Sequence, residues 1–420
     1  MADTTGAKKK LLLISPMLHQ GGFEKVCVET ARLLLPFYDV RILIFDDHDR
    51  FFDTEGLDVT CIDVPSKEGK VSKALNVIRR CIRVRKFKRE QGIDISYSFG
   101  STANIVNCLT RCGDRIIAGI HGGIDLDNST HMKLFFKKAD AVLCCSRGIL
   151  ALAGARYSKI SPVAENLHKG VYVFNPIDTD RIREMSAEPV EDIPYMVRKD
   201  SSPAADETVL ITVGRDDPQK GYWHMIKAFY LLQKENIGQK LRLLIIGGGS
   251  FEKEKKLCSE LGIDDKVCFA GLRDNPYKYM RRSDLYLLSS NHEGFPVAMA
   301  EAMAAGIPAV AADARTGPRE LLLNEDDYLA LCRKDPLYEA DHEPLAGQGG
   351  ILFGPLSERE DYSPDSIPEE DIRYAGCIRP LLADDTARRK MAADALARAQ
   401  EFGSHAYVQA LRKVLEGDEK

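Results

Sequence analysis

Two glutamates eight positions apart, Glu293 and Glu301, flank the turn Gly294-Phe295-Pro296-Val297 in the stretch NHEGFPVAMAEAMAAGIPAVA. The small residues after the turn read as a helix, and Pro296 suits its first turn, where a missing N–H costs nothing. Glu293 then lies just ahead of the helix and Glu301 lies within it, about 10 Å further along the axis at ~1.5 Å per residue. The amides from Phe295 to Ala298 are the unpaired donors of a helix start, which attract anions. Acid, anion hole, acid is the order needed by a sugar–diphosphate–ribose ligand laid along the helix. Glu293 would take the sugar hydroxyls, the amides the diphosphate and Glu301 the ribose diol. The same residues also suit acids that complement a helix dipole and alanines that pack closely on a sheet. The segment alone leaves both open.

Two further segments bear on that choice. In GRDDPQKG, Arg215 ends a strand and Lys220 precedes the next helix. Two cations on one loop suit a diphosphate leaving group, although solvated loop charges would look alike. In HQGGFEK, the Gly21-Gly22 turn lets backbone approach a phosphate without a Cβ in the way. A dinucleotide fingerprint is the rival reading of that turn, with Asp46 and Asp47 downstream. The third glycine of GxGxxG is absent, so nicotinamide binding is set aside.

Elements must hold these loops in place. KLLLISPML, VRILIFD, DISYSFG, RIIAGI, AVLCCS and GVYVFN read as strands between amphipathic segments. The alternation restarts with TVLITVG, LRLLIIGGG, KVCFAG, DLYLLSS and IPAVAAD. Apolar strands alternating with helices predict an α/β protein with two parallel sheets covered on both faces. At 420 residues the chain is long enough for two cores. The predicted division is 1–185, a Pro/Ser/Asp-rich linker at 186–207, 208–395, and a terminal helix at 396–420. Three lysines before the first apolar run imitate a secretory leader, but Ser15 and Pro16 break the run, so a buried strand is expected. The eleven cysteines show no CxxC or zinc spacing and are expected to be reduced core thiols of a cytoplasmic protein.

Together HQGGFEK, GRDDPQKG, NHEGFPVAMAEAMAAGIPAV and TGPREL resemble family four of the retaining, nucleotide-sugar-dependent glycosyltransferases. The likeness is densest from 209 to 321. It implies the GT-B architecture: two facing Rossmann-like domains with parallel sheets, and a C-terminal helix returning to the first. By the same resemblance Glu293 meets the donor sugar and Glu301 the ribose. Arg215 and Lys220 grip the diphosphate, and the Gly22 amide faces a donor phosphate. His121, in AGIHGGID, lies near the sugar. Gly294, Phe295, Pro296 and Val297 complete the donor-binding set, and Glu293, Arg215, Lys220 and His121 carry the catalysis. Such enzymes need no metal or other cofactor, and no nucleic acid is expected as a partner. The implied reaction moves a hexose or N-acetylhexosamine from a nucleotide sugar, expected to be UDP-linked, to a saccharide or polyprenyl-phosphate-linked acceptor in cell-surface glycan assembly. A nucleotide-sugar epimerase or hydrolase, or a silent nucleotide-sugar-binding subunit, would share the architecture. The segment 324–349 is longer than the family's usual connection there.

The net charge of −5 conceals an asymmetry: residues 1–185 carry 28 Lys and Arg against 22 Asp and Glu, the rest 30 against 41. Much of the first half's excess lies at 67–90, with ten basic and two acidic residues. There Val71, Leu75, Ile78 and Ile82 share one helical face. Either this stripe packs on the first domain's own core and the cations form a solvated rim, or it docks on an anionic membrane. The first-half excess of cations favours the membrane slightly, placing the enzyme at the inner face of the cell membrane.

Overall fold

The computed structural model describes residues 7–66, 69–201, 207–235 and 240–418. The chain forms two compact units, Met1–Pro176 with Ser404–Lys420, and Ile177–Gly403. The first holds β1 (Lys10–Ser15), β2 (Asp39–Ile44), β3 (Asp58–Cys61), β4 (Ile95–Phe99), β5 (Arg115–Ile120), β6 (Ala141–Cys144) and β7 (Gly170–Tyr172). They pair in parallel in the order β3-β2-β1-β4-β5-β6-β7. The second holds β8 (Glu207–Val213), β9 (Lys240–Ile246), β10 (Val267–Gly271), β11 (Leu285–Leu288), β12 (Ala309–Ala312), β13 (Leu345–Gly347) and β14 (Gly350–Phe353). Their order is β10-β9-β8-β11-β12-β14-β13, parallel except for the β13–β14 hairpin. Each unit thus has a strand order that reverses once, between β1 and β4 and between β8 and β11. The loops leaving such strands frame the ligand crevice of an open α/β sheet.

The central strands are apolar on both faces because helices cover both. Leu12 and Ile14 of β1 pack with Leu43, Phe45, Val84 and Val106, and Leu210 and Leu243 pack with Trp223, Phe229 and Leu285 in the second unit. The strands absent from the sequence reading are the edge or hairpin ones. β3 (DVTC) is half-exposed at the sheet edge, and β13 and β14 (LAG, GILF) are short and glycine-rich.

The division falls elsewhere than composition suggests. The chain crosses to the second unit after Pro176, and the stretch expected as a linker, 186–207, starts at the end of the helix Thr179–Ser186 and contains the helix Pro194–Ser201. Val190, Ile193 and Met196 are buried there, and Arg282 Nη1 donates to the Ser186 carbonyl at 3.2 Å, so the stretch is fastened to its own unit. Residues 202–206 lie outside the described ones. At the other end the helix Asp385–Gln400 stays with the second unit, and only Ser404–Glu416 returns to the first. That last helix buries Tyr407, Leu411 and Leu415. The Tyr407 hydroxyl meets Thr30 Oγ1 at 2.6 Å, and Arg115 Nε donates to the Val414 carbonyl at 3.1 Å.

Candidate functional site

The two segments singled out in the second unit leave neighbouring strands at the switch point: GRDDPQKG follows β8 and NHEGFP follows β11. Asp217 caps the short turn Pro218–Lys220 by accepting from the Gln219 amide at 2.9 Å. Gly221 then takes φ +57°, and a Cβ there would fall 2.3 Å from the Ser289 carbonyl oxygen, so only glycine lets the two loops touch. Ser289 Oγ donates to the Lys220 carbonyl at 2.8 Å, the Asn291 amide to the Gln219 carbonyl at 2.9 Å, and Gln219 Nε2 to the His292 carbonyl at 2.7 Å.

This stitching brings Lys220 Nζ to 2.8 Å from Glu293 Oε1, with the Glu293 side chain only 9% exposed. Arg215, at 49% exposure, donates through Nε to Asp217 Oδ2 at 2.9 Å. Burial pushes the Asp217 carboxyl up, but the Gln219 amide and Arg215 outweigh it and hold the group below its ordinary range. Cations and acids of the two loops are therefore mutually paired.

Pro296 stands at the cap of the helix Val297–Ala304, one position earlier than the sequence suggested, and no side chain caps that end. Met299 and Ala300 are the first amides to bond back, to the Pro296 carbonyl, so the Val297 and Ala298 amides precede the ladder. The turn ahead of the helix is braced by TGPREL. Thr316 Oγ1 donates to the Glu293 carbonyl at 2.6 Å, and Gly317, at φ +91°, lies so close that a Cβ would meet Pro296 Cδ at 2.5 Å. Glu301 is buried and accepts from the Tyr277 hydroxyl at 2.9 Å. The acid–helix start–acid order read from the sequence is thus present in space.

The long connection after TGPREL supports the same wall. Buried Arg319 pairs with Asp313 and Asp335, each at 2.6 Å, and lies 4.1 Å over the Tyr338 ring. His342 Nε2 reaches the same Asp313 carboxylate at 3.0 Å. Segment 324–349 is fixed to the end of β12 through these groups, an arrangement no local motif announces.

In the first unit, Gly22 opens the helix Gly22–Leu34 at the end of β1, and a Cβ on it would meet nothing within 4 Å. His121 leaves β5 with its ring stacked on Phe99 at 5.1 Å and 6.3 Å from Phe23, which places it beside the Gly22 turn. A Cβ at Gly119 would fall 2.7 Å from His121 Nε2, so that glycine, absent from the sequence reading, makes room for the ring. Both ring nitrogens are buried without a hydrogen-bond partner among the described residues, and burial lowers the imidazole pKa to about 4. The ring is thus held neutral, with its polar atoms unsatisfied within the unit. Tyr277, Gln219 and Thr316 were also missed. Their roles come from distant contacts, and only Gly221 carried a local signal, the glycine of the QKG turn.

Residues 197–335 match the family model for Glycosyl transferases group 1. The chain is 26% identical over 289 residues to an uncharacterized glycosyltransferase of Methanocaldococcus jannaschii, covering 68% of this chain and 65% of the relative. It is 27% identical over 356 residues to the N-acetylgalactosamine-N,N'-diacetylbacillosaminyl-diphospho-undecaprenol 4-alpha-N-acetylgalactosaminyltransferase of Campylobacter jejuni, covering 81% of this chain and 89% of the relative. The solved structure of Anabaena HepE in complex with UDP and glucose superposes with a TM-score of 0.70 at 18% identity, covering 97% of this chain and 99% of that one.

Proposed function

We propose that the chain, which has the GT-B fold and matches the group 1 glycosyltransferase model over residues 197–335, is a glycosyltransferase that moves a hexose or N-acetylhexosamine from a UDP-sugar with retention of configuration. The observation that carries this reading is the Lys220–Glu293 pair at 2.8 Å beside an uncapped helix start, with Arg215 on the same loop. On donor binding Lys220 and Arg215 turn to the diphosphate, and the Val297 and Ala298 amides take an oxygen of it. Glu293 is released to the sugar hydroxyls. Glu301, oriented by Tyr277, takes the ribose diol.

Catalysis then consists of stabilising the charge that develops on the leaving diphosphate while the sugar is held still. The bond from the anomeric carbon to the phosphate oxygen breaks through a short-lived oxocarbenium-like species. The departing β-phosphate takes the acceptor's hydroxyl proton on the same face, and the acceptor oxygen bonds to that carbon. His121, uncharged, offers a hydrogen bond to the sugar. No metal or other cofactor enters. UDP as the nucleotide is supported by the HepE complex, and a saccharide or polyprenyl-diphosphate-linked acceptor by the name of the Campylobacter relative. The reaction runs in the cytoplasm, in keeping with eleven free cysteines.

The test is incubation with UDP-glucose, UDP-galactose and their N-acetyl counterparts, with and without lipid-linked saccharide acceptors, reading UDP release and product anomer. Acceptor-dependent UDP release with an α-linked product is expected. Free sugar, or an epimerised nucleotide sugar without acceptor, would replace this reading by a hydrolase or an epimerase.

A further inference from the structure

The helix Lys70–Gln91 in the first unit buries long polar side chains beside its core-facing apolar ones. Its inward side carries Asn76, Arg80, Val84 and Lys88, all buried. Arg80 lies 4.6 Å over the Phe45 ring and donates to the Val64 carbonyl at 2.7 and 2.9 Å. Lys88 Nζ is held by Asp114 at 2.7 Å and Asn107 at 2.6 Å. Val84 joins the core with Cys81 and Phe87 beside it, whereas three other aliphatic residues of the helix face outward: Leu75 is 48%, Ile78 55% and Ile82 64% exposed. The stripe therefore does not pack on the unit's own core. The side chain of Val71 lies outside the described residues.

Ile78 and Ile82 join exposed Leu109 in an open groove of about 660 Å³ bordered by Arg85, Lys86 and Arg89. Lys73, Arg79 and Arg89 meet no acid among the described residues, and Glu90 is the one acid on the helix. Arg85 donates to the Leu109 carbonyl at 2.8 Å and Lys86 pairs with Glu90 at 3.7 Å, but the cations on this face still outnumber its one acid, and exposed aliphatic residues set among them suit a partner that is apolar within and anionic at its surface.

We propose that this face docks the enzyme on an anionic phospholipid bilayer, with Leu75, Ile78, Ile82 and Leu109 entering the headgroup–acyl boundary and the cations resting on lipid phosphates. A nucleic acid fits less well, because the face offers aliphatic side chains and no exposed aromatic platform for bases. A second copy of the chain would set two cationic faces against each other. Among the described residues no helix is long and apolar enough to cross a membrane, so docking would be interfacial.

The test is co-sedimentation of the full chain with vesicles of phosphatidylcholine alone and of phosphatidylcholine mixed with phosphatidylglycerol, across a salt series. Binding is expected to the mixed vesicles only, and to fade as salt rises. Arg79→Glu should lower vesicle affinity by at least about fivefold, the share of one cation near an anionic leaflet. The triple variant Leu75→Ser, Ile78→Ser, Ile82→Ser should abolish co-sedimentation while keeping UDP release with a soluble acceptor, which separates docking from folding and from the transfer chemistry. No binding to the mixed vesicles at low salt, equal binding to neutral vesicles, or undiminished binding by the triple variant would overturn the proposal.

Discussion

At the scale of single residues, the two cations of the GRDDPQKG loop should behave alike in turnover and differently in stability. Arg215→Ala and Lys220→Ala each remove a preorganised charge from the leaving diphosphate, so each is expected to lower kcat by about a hundredfold or more. Arg215 is half-exposed, and its loss should leave the urea midpoint unmoved. Lys220→Ala leaves the nearly buried Glu293 carboxylate unpaired, which should cost on the order of 1 kcal/mol in the same urea titration. Near-normal turnover in both variants would remove them from the site. His121 gives a pH signature. Its pKa falls from the ordinary 6.5 to about 4 on folding, so the unfolded chain binds more protons between those values. Its contribution to stability is complete above pH 6.5 and is lost as pH falls towards 4. Unfolding titrations should show that acid decline in the wild type and a shallower one in His121→Phe. A decline of equal depth in both would mean that the ring is not held neutral. Glu293, Glu301, Arg215 and Lys220 were legible in the sequence because each belongs to a loop of fixed local spacing. Tyr277 was not, because it reaches Glu301 from another helix, 24 positions away.

At the scale of elements, the site depends on two loops being able to touch. Gly221→Ala would place a Cβ 2.3 Å from the Ser289 carbonyl at a residue with φ +57°. The expected cost is about 1–3 kcal/mol from backbone strain, with turnover falling as Lys220 and Glu293 are forced apart. A variant with an unchanged melting temperature and full activity would show that the loops separate without consequence. The central parallel strands could be read directly, since burial on both faces leaves an unbroken apolar run. Half-exposed β3 and the β13–β14 hairpin could not, because β3 and β13 are short edge strands and β14 is only four residues long and opens on a glycine. The helix Lys70–Gln91 shows the other limit of pattern reading. Its apolar stripe was visible, but which side faces the core was settled by Arg80 and Lys88, whose partners Val64, Asn107 and Asp114 lie in other elements.

At the scale of the whole molecule, the two-sheet plan followed from the alternation of strands and helices, whereas the points at which the chain changes units did not. A Pro- and Ser-rich stretch looks like a linker by composition, yet Val190, Ile193 and Met196 are buried within the second unit. The transfer chemistry proposed for this fold assigns charge stabilisation to Arg215, Lys220 and helix amides. Turnover should therefore persist in EDTA, and loss of activity restored by Mg²⁺ or Mn²⁺ would contradict that assignment. Binding of the diphosphate of a UDP-sugar at the switch point of the second sheet, as proposed, is tested without knowledge of the acceptor by a thermal-shift comparison across UDP-, GDP- and ADP-sugars. Binding to the folded state alone raises the melting temperature by mass action. A rise with one or more UDP-sugars that is lost in both Arg215→Ala and Lys220→Ala is expected. No rise with any nucleotide sugar, or a rise that survives both substitutions, would contradict it.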